Sequence, residues 1–298
     1  MATLATTISA TEVHPLLAAR IEGVDLRNSI TPQEAAFIEQ TIARYPVLIF
    51  PGQDIDDAQQ IAFTRNFGSL ETATSYATDP DEHRLAAVIT DVSNVGKDNR
   101  TFGPGDVRRM NALGSRRWHS DSSYRKVAAR YSLLSARKIP GMGGETQFAD
   151  MRAAYDALPQ HYRELVEDLI VEHTVFHTRA VSGFTEFSDA ERAALPPHHH
   201  RLVRRHPISG RRSLFLSAHA SHIVGWPLPE GRDLLYQLSD FATQPRFVFE
   251  HRWTVHDLVI WDNRSTMHRA RPYFPETATR DMHRTSVHDE RSTLEQPN

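Results

Sequence analysis

The 298-residue chain has no cysteine. Disulfides, thiolate metal sites and cysteine nucleophiles are thereby excluded. It also lacks any apolar run of roughly 18 residues, so no membrane-spanning helix is expected. The formal net charge is −3, with no long block of one sign. Neither nucleic acid nor an anionic membrane is implied as a partner. Residues 1–10 are rich in Ala and Thr. They show no basic segment followed by an apolar one, so a secretory signal is not expected. What remains is a cytoplasmic globular protein with enough chain for a large core.

The informative stretch is Trp118-His119-Ser120-Asp121-Ser122-Ser123. In an extended strand, residues i and i+2 share a face, so His119 and Asp121 can grip one metal ion from one side. Two ligands leave a site incomplete. The third is expected at His268, which follows the apolar run Leu258-Val259-Ile260-Trp261 and a polar turn. Two His and one carboxylate with open positions form the facial triad of non-haem Fe(II) oxygenases. With 17 His in the chain, His-x-Asp alone is a weak signal. Its company strengthens it: the downstream His, the segment Gly143-Gly144-Glu145-Thr146 between them, and Arg280 and Arg284 beyond. The residues alone leave open a zinc hydrolase on the same three ligands, and a silent binding protein.

Along the chain, Thr31-Pro32-Gln33-Glu34 reads as a capping box opening a helix to about Arg44. Val47–Phe50 reads as a buried strand, and Asp56 as the cap of a second helix ending near Gly68. Residues 71–117 are polar apart from a strand-like piece, Leu85–Ile89, and read equally as a lid or as a disordered insertion. Strands are expected at 131–136, 145–148, 170–178, 247–249, 258–261 and 280–287. Residues 201–206 and 213–216 should form a hairpin. Helices are expected at 151–158, 159–169 and 228–243. His198-His199-His200 is expected on a solvated loop, and His219 and His222 on a loop near the site mouth.

Many short strands with helices outside them predict a mainly β fold, a double-stranded β-helix of the jelly-roll, cupin-like kind. A single domain over 1–298 is expected, with a tail from about 289.

The segments around His119-x-Asp121, Gly143–Thr146, Trp261-Asp262-Asn263-Arg264, His268-Arg269 and Arg280/Arg284 resemble the taurine/2,4-dichlorophenoxyacetate dioxygenase family. The resemblance spans about residues 14–290. Trp118–Ser123, Asp150–Leu158 and Ala218–His222 look closest to the 2,4-dichlorophenoxyacetate branch. It implies Fe(II) held by His119, Asp121 and His268, with 2-oxoglutarate and O2 as cosubstrates. Arg280 and Thr146 would hold the far carboxylate of 2-oxoglutarate. Arg284, Tyr76 and Trp118 would meet a small anionic aromatic substrate. The taurine branch carries Leu-x-x-His-Pro-x-Tyr near its substrate. Here Leu70 and Tyr76 match, but Ala73 replaces the His, which argues against taurine. The implied reaction hydroxylates the carbon next to the ether oxygen of an aryloxyalkanoate, releasing a phenol and glyoxylate with succinate and CO2. The same chemistry on an alkylsulfonate, an alkyl sulfate or a natural aromatic acid is the alternative. A homo-oligomer is expected from the relatives.

Overall fold

The segment Leu258–Asp262 is apolar at four of its five positions, and all five are buried. A strand with no polar face must be covered on both sides. The computed structural model, which describes residues 7–73, 83–276 and 278–297, places it inside a seven-stranded sheet. The order across that sheet is Ser9–His14, Ala18–Glu22, Val47–Phe50, Leu258–Asp262, Ala129–Lys138, Asp281–His288 and Thr90–Asp91. Neighbours are antiparallel except Ala18–Glu22 with Val47–Phe50.

Side chains alternate across the pleat. Leu258 and Ile260 pack with Leu48, Phe50 and Leu133 against Ile38 and Ile42 of helix Pro32–Arg44 and Phe63 of helix Asp57–Thr64. Val259 and Trp261 face the opposite way, with Val47, Ile49, Leu134 and Met282, and meet Phe148. Phe148 lies in the middle strand of a second sheet, ordered Val248–His251, Thr146–Asp150, Thr266–Ala270. Behind this small sheet, Ala149 and Met267 pack with Leu234, Leu235 and Leu238 of the amphipathic helix Leu228–Ala242. Both early helices begin in capping boxes. Thr31 accepts from the Glu34 amide and Asp56 from the Gln59 amide, satisfying donors a helix start leaves free.

Several local expectations are corrected. The 170–178 stretch divides into strand Ile170–His173 and helix Val175–Val181, because Thr174 accepts from the Phe176 amide and starts a helix there. Residues 198–200 do not form a solvated loop. They lie in strand His198–Arg201, with His200 fully buried beside His173 and Phe215. The 85–89 piece is not a strand; the sheet edge is Thr90–Asp91 instead. His222 lies in strand Ala220–Ile223 rather than on a loop. The expected tail packs down: Asp289 pairs with Arg204, and Thr293 bonds His200. The 201–216 hairpin appears as Val203–Arg205 paired with Arg212–Leu214.

Candidate metal centre

His119 and His268 are bound backbone to backbone. The His119 amide donates to the His268 carbonyl at 3.0 Å and the His268 amide to the His119 carbonyl at 2.8 Å. An antiparallel pair of this kind puts both side chains on one face. The imidazole centroids are 4.1 Å apart. Asp121 follows two residues later and enters the same space. His119 Nε2 lies 3.8 Å from Asp121 Oδ1, and His268 Nε2 lies 3.7 Å from Oδ2. One ligand atom from each of the three lies within 4.8 Å of the others, and no other group of His, Asp and Glu among the described residues does this.

The Asp121 carboxylate is held on several sides. Its amide donates to Asn263 Oδ1 at 3.0 Å, and Oδ2 accepts from the Ser132 hydroxyl at 2.7 Å. The Asn263 amide in turn donates to that hydroxyl, and Trp261 Nε1 donates to Asn263 Oδ1. Arg284 Nη1 donates to Oδ1. Burial works to raise the Asp121 carboxyl, but Arg284, His268 and His119 outweigh it and hold it well below the usual carboxylate range. Burial lowers both imidazoles, so they are neutral near pH 7 and able to donate lone pairs. His119 Nδ1 lies 2.8 Å from the Arg117 carbonyl, which can only accept. The proton therefore sits on Nδ1 and Nε2 faces the carboxylate, the orientation a metal ligand needs.

The donor set fits a divalent ion with open positions: two imidazole nitrogens and one carboxylate. The neighbouring groups fit an anionic chelate. The last strand alternates, with Met282 and Arg284 on the inner face and His283 and Thr285 bonded to Asp57 and Thr64 outside. Arg280, four residues before Arg284, lines the same cavity about 13 Å along the strand direction. It is buried, and among the described residues its guanidinium donates only to the Val92 carbonyl. No carboxylate among the described residues pairs with it. Burial pushes it down to about 10. A buried cation without a counter-ion is expensive, and an arriving carboxylate would relieve that cost. Asn94 accepts from the Arg280 amide and donates to the Pro275 and Ala278 carbonyls, fixing the strand start. Gly143 and Gly144, both at φ +78°, bring the preceding turn close; a Cβ on Gly143 would lie 2.4 Å from the Pro272 carbonyl oxygen. Thr146 is buried, and its hydroxyl accepts from Trp253 Nε1 at 3.0 Å, leaving its own proton to donate.

A cavity of about 690 Å³ joins His119, Asp121, Arg280 and Arg284. Phe102, Leu113 and Val175 contribute apolar walls. His219 also lines it, with Nδ1 2.7 Å from the Thr178 hydroxyl and burial lowering it to about 3. Trp118 does not line this cavity. Its ring packs on the outer apolar cluster and carries the Arg269 guanidinium 4.6 Å from its centroid. Tyr76 lies outside the described residues. Sequence reasoning missed Asn263, Ser132 and Asn94 as supports, since their spacing to the residues they hold carries no periodic signal.

The family described as taurine catabolism dioxygenase TauD, TfdA family matches residues 9–286. The chain belongs to this family. This TauD/TfdA-family chain is 44% identical over 283 residues to the α-ketoglutarate-dependent 2,4-dichlorophenoxyacetate dioxygenase of Cupriavidus pinatubonensis, covering 95% of this chain and 98% of the relative. It is 42% identical over 287 residues to the enzyme of the same name from a Burkholderia species, covering 96% of each. Among solved structures, that of AAD-2 in complex with Mn(II) and N-oxalylglycine superposes with a TM-score of 0.90 at 44% identity, covering 97% of this chain and all of the other.

Proposed function

We propose that this chain is an Fe(II)- and 2-oxoglutarate-dependent dioxygenase of aryloxyalkanoates. The observation that carries the reading is that His119 and Asp121, of the His119/Asp121/His268 cluster, share one cavity with two arginines, one of them buried without a counter-ion among the described residues. The full-length similarity to enzymes named for 2,4-dichlorophenoxyacetate supports the substrate class.

In this reading His119, Asp121 and His268 hold the metal from one side. Arg280 and the Thr146 hydroxyl take the far carboxylate of 2-oxoglutarate. Arg284 reads the substrate carboxylate, and the apolar walls receive the ring. Iron with 2-oxoglutarate supplies the oxidant, and the protein orients the C–H bond and excludes water. Oxygen from O2 enters the carbon next to the ether oxygen, while 2-oxoglutarate leaves as succinate and CO2. The resulting hemiacetal loses the phenol and leaves glyoxylate. The fold that suits this chemistry is one domain built as a double-stranded β-helix, supported by the two sheets meeting at Trp261 and Phe148. The 71–117 segment acts as a lid. Arg84, Phe102 and Arg109 from that segment line the cavity, which supports this role.

The test is an anaerobic titration of the purified protein with Fe(II) and 2-oxoglutarate, followed by 2,4-dichlorophenoxyacetate and then air. The expected result is a weak visible charge-transfer band that shifts with the herbicide, then succinate and 2,4-dichlorophenol in equal amounts. A band indifferent to the herbicide, with no phenol formed, overturns the substrate class. The absence of any band in iron-loaded protein overturns the dioxygenase reading.

A further inference from the structure

Residue Ser122, immediately after Asp121, has φ +53°. That is the left-handed region, which serine adopts less readily than glycine because its Cβ crowds the following carbonyl. Something must hold it there. The Ser122 hydroxyl donates to Glu71 Oε2 at 2.7 Å, and the Ser122 carbonyl accepts from the Arg125 amide at 2.9 Å. Glu71 comes from a different part of the chain. Its amide donates to the Ser286 carbonyl at 2.8 Å, and Leu70 bridges to Val287, so the segment rides on the last strand. Arg125 Nη2 donates to the Thr72 carbonyl at 3.0 Å, closing the contact from the other side.

Glu71 is 5% exposed, and among the described residues its Oε1 has no hydrogen-bond partner; His288 Nδ1 is 3.5 Å away. Burying a carboxylate with half its acceptors unmet costs stability, so its place calls for a reason. The Asp121 amide and carboxylate are already tied to Asn263, Ser132 and Arg284. What those contacts leave unsecured is the direction in which the chain leaves Asp121.

We propose that Glu71 is a positioning residue: it clamps Ser122 in the left-handed conformation and so aims the Asp121 carboxylate between His119 and His268. This rests on the reading of those three residues as metal ligands. The clamp also joins the first residues of the 71–117 segment to the turn that bears the ligand.

The test measures Mn(II) affinity of the metal-free full chain by calorimetry, without cosubstrate or turnover. Glu71→Ala and Ser122→Ala should each weaken Mn(II) binding about tenfold, the scale of lost ligand supports. Glu71→Gln, which keeps an acceptor, should bind like the wild type. Adding Ser122→Gly to Glu71→Ala should restore affinity, because glycine takes the left-handed conformation unaided. A general loss of packing would not be rescued in this way. Native affinity in Ser122→Ala, or no rescue by glycine, overturns the clamp. If Glu71→Ala does not fold, Ser122→Ala decides alone. Wild-type protein binding Mn(II) no better than His119→Ala or Asp121→Ala overturns the metal reading itself, a separate outcome.

Discussion

Arg284 Nη1 donates to Oδ1 of Asp121, so the guanidinium assigned to the substrate is already engaged with the carboxylate assigned to the metal. Arg280, just before the same strand, has no such partner among the described residues. The two arginines thus differ in what they offer an incoming anion.

That difference separates two variants. Arg280→Ala is expected to raise the 2-oxoglutarate KM roughly a hundredfold, as loss of a buried charge-assisted pair costs about 3 kcal/mol. The 2,4-dichlorophenoxyacetate KM should change far less. Arg284→Ala should show the reverse. Steady-state kinetics with each substrate varied in turn checks this, and equal effects on both constants would undo the assignment.

Asp121→Ala removes one of the three proposed ligands and leaves two neutral imidazoles. Mn(II) affinity should fall more than about a hundredfold, beyond the range seen for support residues, and turnover should vanish. Calorimetry reads the first effect and succinate release the second.

Beneath the site, Asp262 accepts from Arg264 Nη2 at 2.6 Å and from Arg264 Nε at 2.9 Å, and His206 Nε2 lies 2.9 Å from its Oδ2. All three residues are buried. Asp262→Ala would strand the guanidinium, at an expected cost of about 3–5 kcal/mol. Changing both partners, Asp262→Leu with Arg264→Met, should cost less, because neither charge is then left buried. Urea denaturation of the two variants compares them.

His200 makes stability depend on pH. Its Nε2 faces the Arg125 carbonyl at 3.0 Å and must carry the proton, so Nδ1 accepts from the Thr293 hydroxyl at 3.1 Å. Burial, then the nearby Arg204, lowers this imidazole from 6.5 to about 4. The unfolded chain therefore binds an extra proton between those values. The contribution is fully present above pH 6.5 and is lost as pH falls toward 4. Its size is on the order of 3 kcal/mol. His200→Gln should flatten this part of the urea-stability profile, and an unchanged slope would count against the account.

Local chemistry was legible in the sequence. Thr31 and Asp56 announce their helices because a capping side chain needs only the next three residues. The alternation of Arg280, Met282 and Arg284 against His283 and Thr285 follows from the pleat. His119, Asp121 and His268 were legible as a set, although only the fold could bring His268 opposite His119. His200 was misread because burial depends on what covers a strand: here Phe215 and Thr293, distant in sequence. Trp118 sits next to His119 in sequence, yet its ring goes to the opposite side from the cavity, as strand alternation dictates.

By itself, the sequence determined which groups exist and how short stretches behave: the absent thiols, the capped helices, the two-residue period that puts His119 and Asp121 on one face. The tertiary structure alone decided which distant groups meet. The backbone pairing of His119 with His268 and the reach of Glu71 to Ser122 span large sequence separations. No local propensity encodes such contacts; they arise only when the sheets pack and water is excluded.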